Sequence, residues 1–169
     1  MKNSKWKLLT ASVVFIPCMA GAQAVISERT LSVDAALEIA TAALANCRTH
    51  GTPVTITVLD HAGRTKVVVR DDGANLHSSE HSLRKAYTAL TYGMPSGAYG
   101  KRAASNPGSA GPLHLANITT AAGGLPIRAG NTVIGAIGIS GTPGDKGGGA
   151  TDEGCAKAGI ERVAKGLGS

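Results

Sequence analysis

Aromatic residues are nearly missing from this chain. Of its 169 residues one is Trp, one is Phe and three are Tyr. Trp6 and Phe15 both fall in the first 24 residues, which read as a removable leader, so only Tyr87, Tyr92 and Tyr99 remain beyond it. A surface for single-stranded nucleic acid needs aromatic platforms on which bases stack, and this chain can hardly build one. That class is excluded. Excess positive charge is also largely absent once the leader is set aside. Lys2, Lys5 and Lys7 belong to it, so 17 basic residues less those 3 leave 14 against 11 acids, a net charge of +3 rather than +6. A residue of that size speaks of solubility and not of a polyanionic partner. Cysteine is scarce: Cys18, Cys47 and Cys155.

The leader has the three parts of a secretory signal peptide. Its lysines form a positive start, Leu8 to Met19 is an apolar run too short to cross a bilayer, and Ala22-Gln23-Ala24 supplies the small-x-small cleavage pattern. Cys18 as a lipid attachment site is disfavoured by the Phe15-Ile16-Pro17 before it. Cleavage after Ala24 predicts an exported protein, periplasmic or secreted, whose residues 25–169 make a single domain. In an oxidising compartment Cys47 and Cys155 fit one disulfide, and they fit equally well two buried free thiols on the inner faces of helices.

With so few aromatics the core must be built from Val, Ile, Leu and Ala, with glycine allowing close approach. Ser32 is placed to cap a helix over 33–49, with Val33, Ala36, Leu37, Ala40, Leu44 and Cys47 on one stripe. Pro53 stops it, and strands are expected over 54–59 and 64–70, joined by the turn Asp60-His61-Ala62-Gly63. A second helix is expected to start near Ser78 or Ser79 and to run to Tyr92, with Ser79, Leu83, Ala86 and Leu90 inward and His77, His81, Arg84 and Thr88 opposite. A short helical turn is expected over 98–104, then a loop rich in Asn, Pro, Gly and Ser over 105–111. The stretch 117–141 supplies three more strands, 118–122, 125–128 and 132–140, the last apolar on both faces and therefore covered on both. Glycine within it marks the close approach of a packed helix. After the Gly147–Gly149 run, read as a flexible hinge, Thr151 or Asp152 caps a final helix to about Lys165. Short turns between successive strands favour antiparallel pairing. The expectation is an α+β single domain, a roughly five-stranded, mainly antiparallel sheet with flanking helices.

Three stretches together resemble the GlcG/HbpS family, the haem-degrading-domain family related to the PduO C-terminal domain. They are Gly123-Gly124-Leu125-Pro126-Ile127 followed by 133–141 and a glycine-rich loop ending in Asp152-Glu153; Lys85-Ala86-Tyr87-Thr88-Ala89 on the second helix; and Val58 to Gly63. The resemblance runs from about residue 30 to 166. It implies haem as cofactor, an α+β fold and a homo-oligomer.

Several residues of the chain permit such a ligand on their own chemistry. His77-Ser78-Ser79-Glu80-His81 matches the inverted zinc-protease motif, but no third ligand stands at a suitable downstream position. A weaker reading keeps His77 and His81 as metal ligands, for haem iron or another transition metal, since spacing i, i+4 puts both imidazoles on one helix face. The bland alternative is a solvated polar stripe. His114, beside the Gly/Pro loop, is a further candidate axial ligand, against a histidine that only bonds backbone. Lys85, at the resembled family's motif position, is a candidate partner for a propionate or half of a structural ion pair; Arg84, Arg128 and Lys101 are further propionate candidates. His50 and His61 read as helix-end and turn residues. No nucleophile constellation stands out, and Ser140 lacks the spacing of a nucleophile elbow. The expected function is an exported haem- or tetrapyrrole-binding protein in iron or haem sequestration or sensing, binding rather than turning over its ligand. The alternative is a small periplasmic accessory protein or enzyme acting on an organic acid or aldehyde. No nucleic acid and no stable membrane insertion are expected.

Overall fold

The computed structural model describes residues 24–168; residues 1–23, which hold nearly all of the expected leader, lie outside them. Helix α1 spans Val33–Thr49 and starts where expected, with Ser32 Oγ accepting from Ala35 N–H at 3.2 Å. Strands β1 (Thr55–Asp60) and β2 (Thr65–Arg70) form a hairpin. Its turn is organised by Asp60, whose Oδ1 accepts from the amides of both Ala62 and Arg64 at 3.0 Å. Helix α2 spans Ser78–Tyr92 and helix α3 Ser96–Ser105; the latter is a ten-residue helix where only a turn over 98–104 was expected. Strands β3 (Gly124–Ala129) and β4 (Thr132–Ser140) form a second hairpin, and helix α4 spans Gly148–Val163. Among the described residues no helix is long and apolar enough to cross a membrane.

All pairings are antiparallel and the order is β2-β1-β4-β3. The sheet thus has four strands, not five. Residues 118–122 run beside it without joining it, because side chains of the neighbouring helices take their backbone groups: Thr119 N–H donates to Thr88 Oγ1 at 2.9 Å, and Ser96 Oγ donates to Ala121 O at 2.7 Å. Both central strands are covered on both faces, as an apolar β4 requires. On one face Ile56, Val58, Ile127, Ile137 and Ile139 pack with Ala36, Ile39, Ala40 and Ala43 of α1 and Ala156 of α4. Cys47 and Cys155 are joined by a disulfide within this layer, which decides between the two readings left open by sequence. Closing a loop of separation 108 stabilises a fold by up to about 4.7 kcal/mol on the chain-entropy model. The buried stripe of α1 is rotated from the expected one, since Ile39 and Ala43 are buried while Val33 and Leu37 are each 49% exposed. Helix α1 meets α4 closely at Gly159, where a Cβ would lie 2.6 Å from Ile39 O and 2.9 Å from Ala43 Cβ.

The other face is unlike a hydrocarbon core. Thr55 and Thr57 of β1 bond Ser78 and Ser82 of α2, oxygen to oxygen, at 2.7 and 2.8 Å. A Cβ on Gly138 would lie 2.0 Å from Ser82 O, and one on Gly124 2.1 Å from Lys85 O, so the α2 backbone rests directly on the sheet. That contact turns the inward stripe of α2 to Ser78, Ser82, Lys85, Ala86 and Ala89. Ser79 is exposed, Leu83 and Leu90 flank the contact, and Thr88, expected on the outer side, is buried. Ile134 falls where the β3–β4 register shifts, between Gly135 opposite Ile127 and Val133 opposite Arg128. It packs in the α1 and α4 layer with Ile137. Tyr99 of α3 is buried, stacked on Tyr92 with centroids 4.0 Å apart, and closes the domain beyond α2.

Candidate functional site

Where α2 begins, β4 ends and α4 begins, the three elements do not meet. The gap is a cavity of about 430 Å³, within the usual range for small-molecule sites. Helix α2 contributes His77, His81 and Lys85; the end of β4 and the turn after it contribute Ser140 and Gly141 to Pro143; Ala121 and Ala122 form one wall, and Gly149, Ala150 and Asp152 of α4 another. The unpaired course of residues 118–122 is what leaves Ala121 and Ala122 free to line it.

Lys85 and Asp152 form the floor. The side chains are 4% and 2% exposed, and Lys85 Nζ lies 2.8 Å from Asp152 Oδ2 and donates also to Ile139 O at 2.9 Å. Asp152 Oδ1 accepts from Thr142 N–H at 3.3 Å. The ammonium reaches this point past Gly123, where a Cβ would sit 2.8 Å from Nζ. A charge this deeply buried is tolerated only when paired and hydrogen-bonded.

His81 stands above the floor, half-buried. Its Nδ1 lies 3.3 Å from Ser140 Oγ and its Nε2 3.5 Å from Thr119 Oγ1. Burial, then the positive charges of Lys85, His77 and Arg84, hold its pKa below the ordinary 6.5, against an opposing pull from Asp152. The imidazole is therefore neutral at pH 7 and has a lone pair to offer. His77, exposed at the start of α2, lies with its ring centroid 6.3 Å from that of His81 and the planes at 48°. A smaller hollow of about 190 Å³ lies on the outer side of the same helix turn, between His77, Glu80, His81 and Arg84. Arg84 is tied to Glu80 at 2.5 Å.

Of the predicted site residues, His77, His81 and Lys85 thus come together at the cavity, with Arg84 on its outer side. His114 and Arg128 do not. His114 is exposed on a 3-10 turn, Gly111–His114, and lines no part of the cavity. Arg128 is exposed on β3, where it donates to Asn131 O at 2.9 Å and Gly93 O at 2.7 Å, a structural clamp on a turn. His61 Nδ1 contacts Val133 O at 2.9 Å. Among the described residues no third His, Cys, Asp or Glu completes a metal cluster with His77 and His81. Sequence reasoning missed Ser140, Thr142 and Asp152. Neither Thr151 nor Asp152 caps α4: the helix starts four residues before Asp152, with Gly147 as its cap and the glycine run as its first turn, so the Asp152 carboxylate is free to meet Lys85.

Comparison with known proteins agrees with this architecture. An uncharacterized 15.0 kDa protein from the dhaT-dhaS intergenic region of Citrobacter freundii is 38% identical over 116 residues, covering 66% of this chain and 80% of that protein. The crystal structure of HbpS matches with a TM-score of 0.75 at 32% identity, over 84% of this chain and 96% of that one. A crystal structure of a PduOC:haem complex matches with a TM-score of 0.70 at 25% identity, over 79% and 95%. The model of the HbpS-like haem degrading proteins matches residues 31–161. From α1 to α4, then, this chain belongs to the HbpS-like family.

Proposed function

We propose that this chain is an exported haem- or tetrapyrrole-binding protein whose ligand enters the cavity between α2, β4 and α4, with His81 as the iron ligand. The observation that carries the reading is His81 itself: a half-buried imidazole in the cavity wall, its pKa held below the ordinary value first by burial and then by the charge of Lys85. Iron takes neutral imidazole, and a pKa below the ordinary value removes the competing proton. The surroundings suit a flat macrocycle. Ala121, Ala122, Gly141, Pro143, Gly149 and Ala150 project little into the cavity, so the missing aromatics are replaced by a low apolar surface. When bound, haem would supply an iron centre with its own redox and ligand chemistry. The chain's residues would orient it: His81 towards the metal through one ring nitrogen, the other steadied by Ser140 or Thr119, whose contact with the ligating nitrogen would be given up, and His77 at the mouth.

Export to the periplasm or beyond is proposed from the leader-like residues 1–24, with the Cys47–Cys155 disulfide as support, because such bonds persist in oxidising compartments. A homo-oligomer is proposed from the exposed Val33, Leu37 and Val68 on the outer surface. A role in sequestering or sensing haem or iron fits a site that holds a ligand without a nucleophile constellation.

Adding hemin to the purified protein tests the reading. The expected result is a stoichiometric Soret shift that His81→Ala abolishes, that His77→Ala weakens and that His114→Ala leaves intact. An undiminished shift in His81→Ala would remove the proposed ligand.

A further inference from the structure

Three hydrogen-bond donors around the cavity have no acceptor among the described residues. The Lys85 ammonium has three N–H bonds; Ile139 O and Asp152 Oδ2 take two, and among the described residues nothing takes the third. Thr142 Oγ1 is shut away from solvent and bonds to nothing. The Gly149 amide, in the first turn of α4 where no intrahelical acceptor exists, also lacks a partner among the described residues. Its neighbours Gly148 and Ala150 donate to Pro143 O and Gly147 O. Lys85, Thr142 and Gly149 all line the same cavity. The acceptors nearby are already used, since Asp152 receives Lys85 on one oxygen and Thr142 N–H on the other.

We propose that this end of the cavity is a carboxylate subsite, in which a ligand carboxylate accepts from Lys85 Nζ, the Gly149 amide and, after rotation of its side chain, the Thr142 hydroxyl. A carboxylate is acceptor-only and offers two oxygens with about four lone-pair sites, enough acceptor capacity for all three donors. A ligand end that bears donors would leave them unmet, each at a desolvation cost. Asp152 repels the incoming anion and shares the ammonium with it, so recognition depends on hydrogen bonds and not on net charge. That sets the subsite apart from a loose cationic patch, because it discriminates by shape and by acceptor count. The carboxylate can belong to a free organic acid or to the side arm of a larger ligand such as a tetrapyrrole. The inference takes from the haem reading only that this cavity is the ligand site.

The probe is sodium acetate, titrated against sodium chloride at matched ionic strength, with the Thr142 and Gly149 amide resonances followed by NMR. Acetate is expected to shift both saturably and chloride neither. Thr142→Val should weaken acetate binding about tenfold, the loss of one hydrogen bond to a charged acceptor. The double variant Lys85→Met/Asp152→Leu should abolish the response, and its thermal unfolding shows whether it has kept the fold; Thr142→Val carries the test if it has not. No saturable response in the parent protein, or an unchanged acetate affinity in Thr142→Val, overturns the proposal. The source of the carboxylate is read by competition: haem displacing acetate where haem dimethyl ester does not points to a tetrapyrrole side arm, and neither displacing it points to a free acid. An acetate response that survives while the Soret shift is indifferent to His81→Ala would sink the haem reading and leave this one standing. The opposite pattern would sink this one alone.

Discussion

Replacing Lys85 by Met removes the cation from a pair whose side chains are 4% and 2% exposed, leaving the Asp152 carboxylate with only the amide of Thr142. Stranding one partner of a buried pair costs about 3–5 kcal/mol, whereas replacing both by apolar groups is often close to neutral. Asp152→Leu strands the ammonium and should cost a similar amount. Were the two effects independent, the double variant would lose about 6–10 kcal/mol, as much as the whole stability of many domains. The geometry argues otherwise. In Lys85→Met/Asp152→Leu the identifiable losses are one donor to Ile139 O and one acceptor for Thr142 N–H, about 1 kcal/mol each and so about 2 kcal/mol together. The double variant should therefore be more stable than either single one. Urea unfolding followed by circular dichroism reads this directly, because a loss of about 4 kcal/mol moves the midpoint by roughly 2 M at an m-value near 2 kcal/mol/M. If the double variant is the least stable of the three, or if Lys85→Met unfolds within about 1 kcal/mol of the parent, Lys85 and Asp152 do not act as one buried unit in the cavity floor.

Two further consequences concern packing and pH. A Cβ on Gly138 would lie 2.0 Å from Ser82 O and 2.5 Å from Ala86 N, so Gly138→Ala should push α2 off the sheet and destabilise by about 3 kcal/mol in the same unfolding assay. Gly154→Ala, at an exposed position of α4 with nothing within 4 Å, should instead stabilise by up to about 1 kcal/mol, which separates crowding from any general effect of removing glycine. His81 titrates below its unfolded value of 6.5, so above that pH it is neutral in both states and contributes no pH dependence. As the pH falls through about 6.5 the unfolded chain binds the proton first. Stability then declines, and the loss levels off once the folded imidazole is also protonated. Thermal unfolding between pH 7.5 and 5, compared with His81→Gln, should show a shallower decline in the variant; equal slopes would refute the assignment.

Much of the local structure was legible in the residues. The capped start of α1, the Asp60 turn, the two hairpins and the helix over Ser78–Tyr92 follow from periodicity, capping and turn chemistry, all of which act within a few residues. So did the inference that glycine in β4 admits a helix, since a strand apolar on both faces must be covered. Elsewhere the same reasoning chose the wrong face or partner. On α2 hydrophobicity pointed inward at Leu83 and Leu90, but the sheet face opposite offers Thr55, Thr57 and glycine, and Ser78 and Ser82 match it better. The fifth strand failed because Thr88 and Ser96, far away in the chain, capture the backbone of residues 118–122.

The sequence by itself determined the class of fold, the family resemblance and His77, His81 and Lys85 as the polar residues to watch, because each is written in short-range pattern. Only the tertiary structure decided that Cys47 meets Cys155, that Lys85 is held by Asp152, and that His114 and Arg128 stand away from the cavity. Those facts depend on contacts between residues 67 and 108 positions apart for the two pairs. Which distant side chains share a cavity is settled by how helices seat on a sheet to fractions of a residue's width, and periodicity along the chain carries no record of that seating.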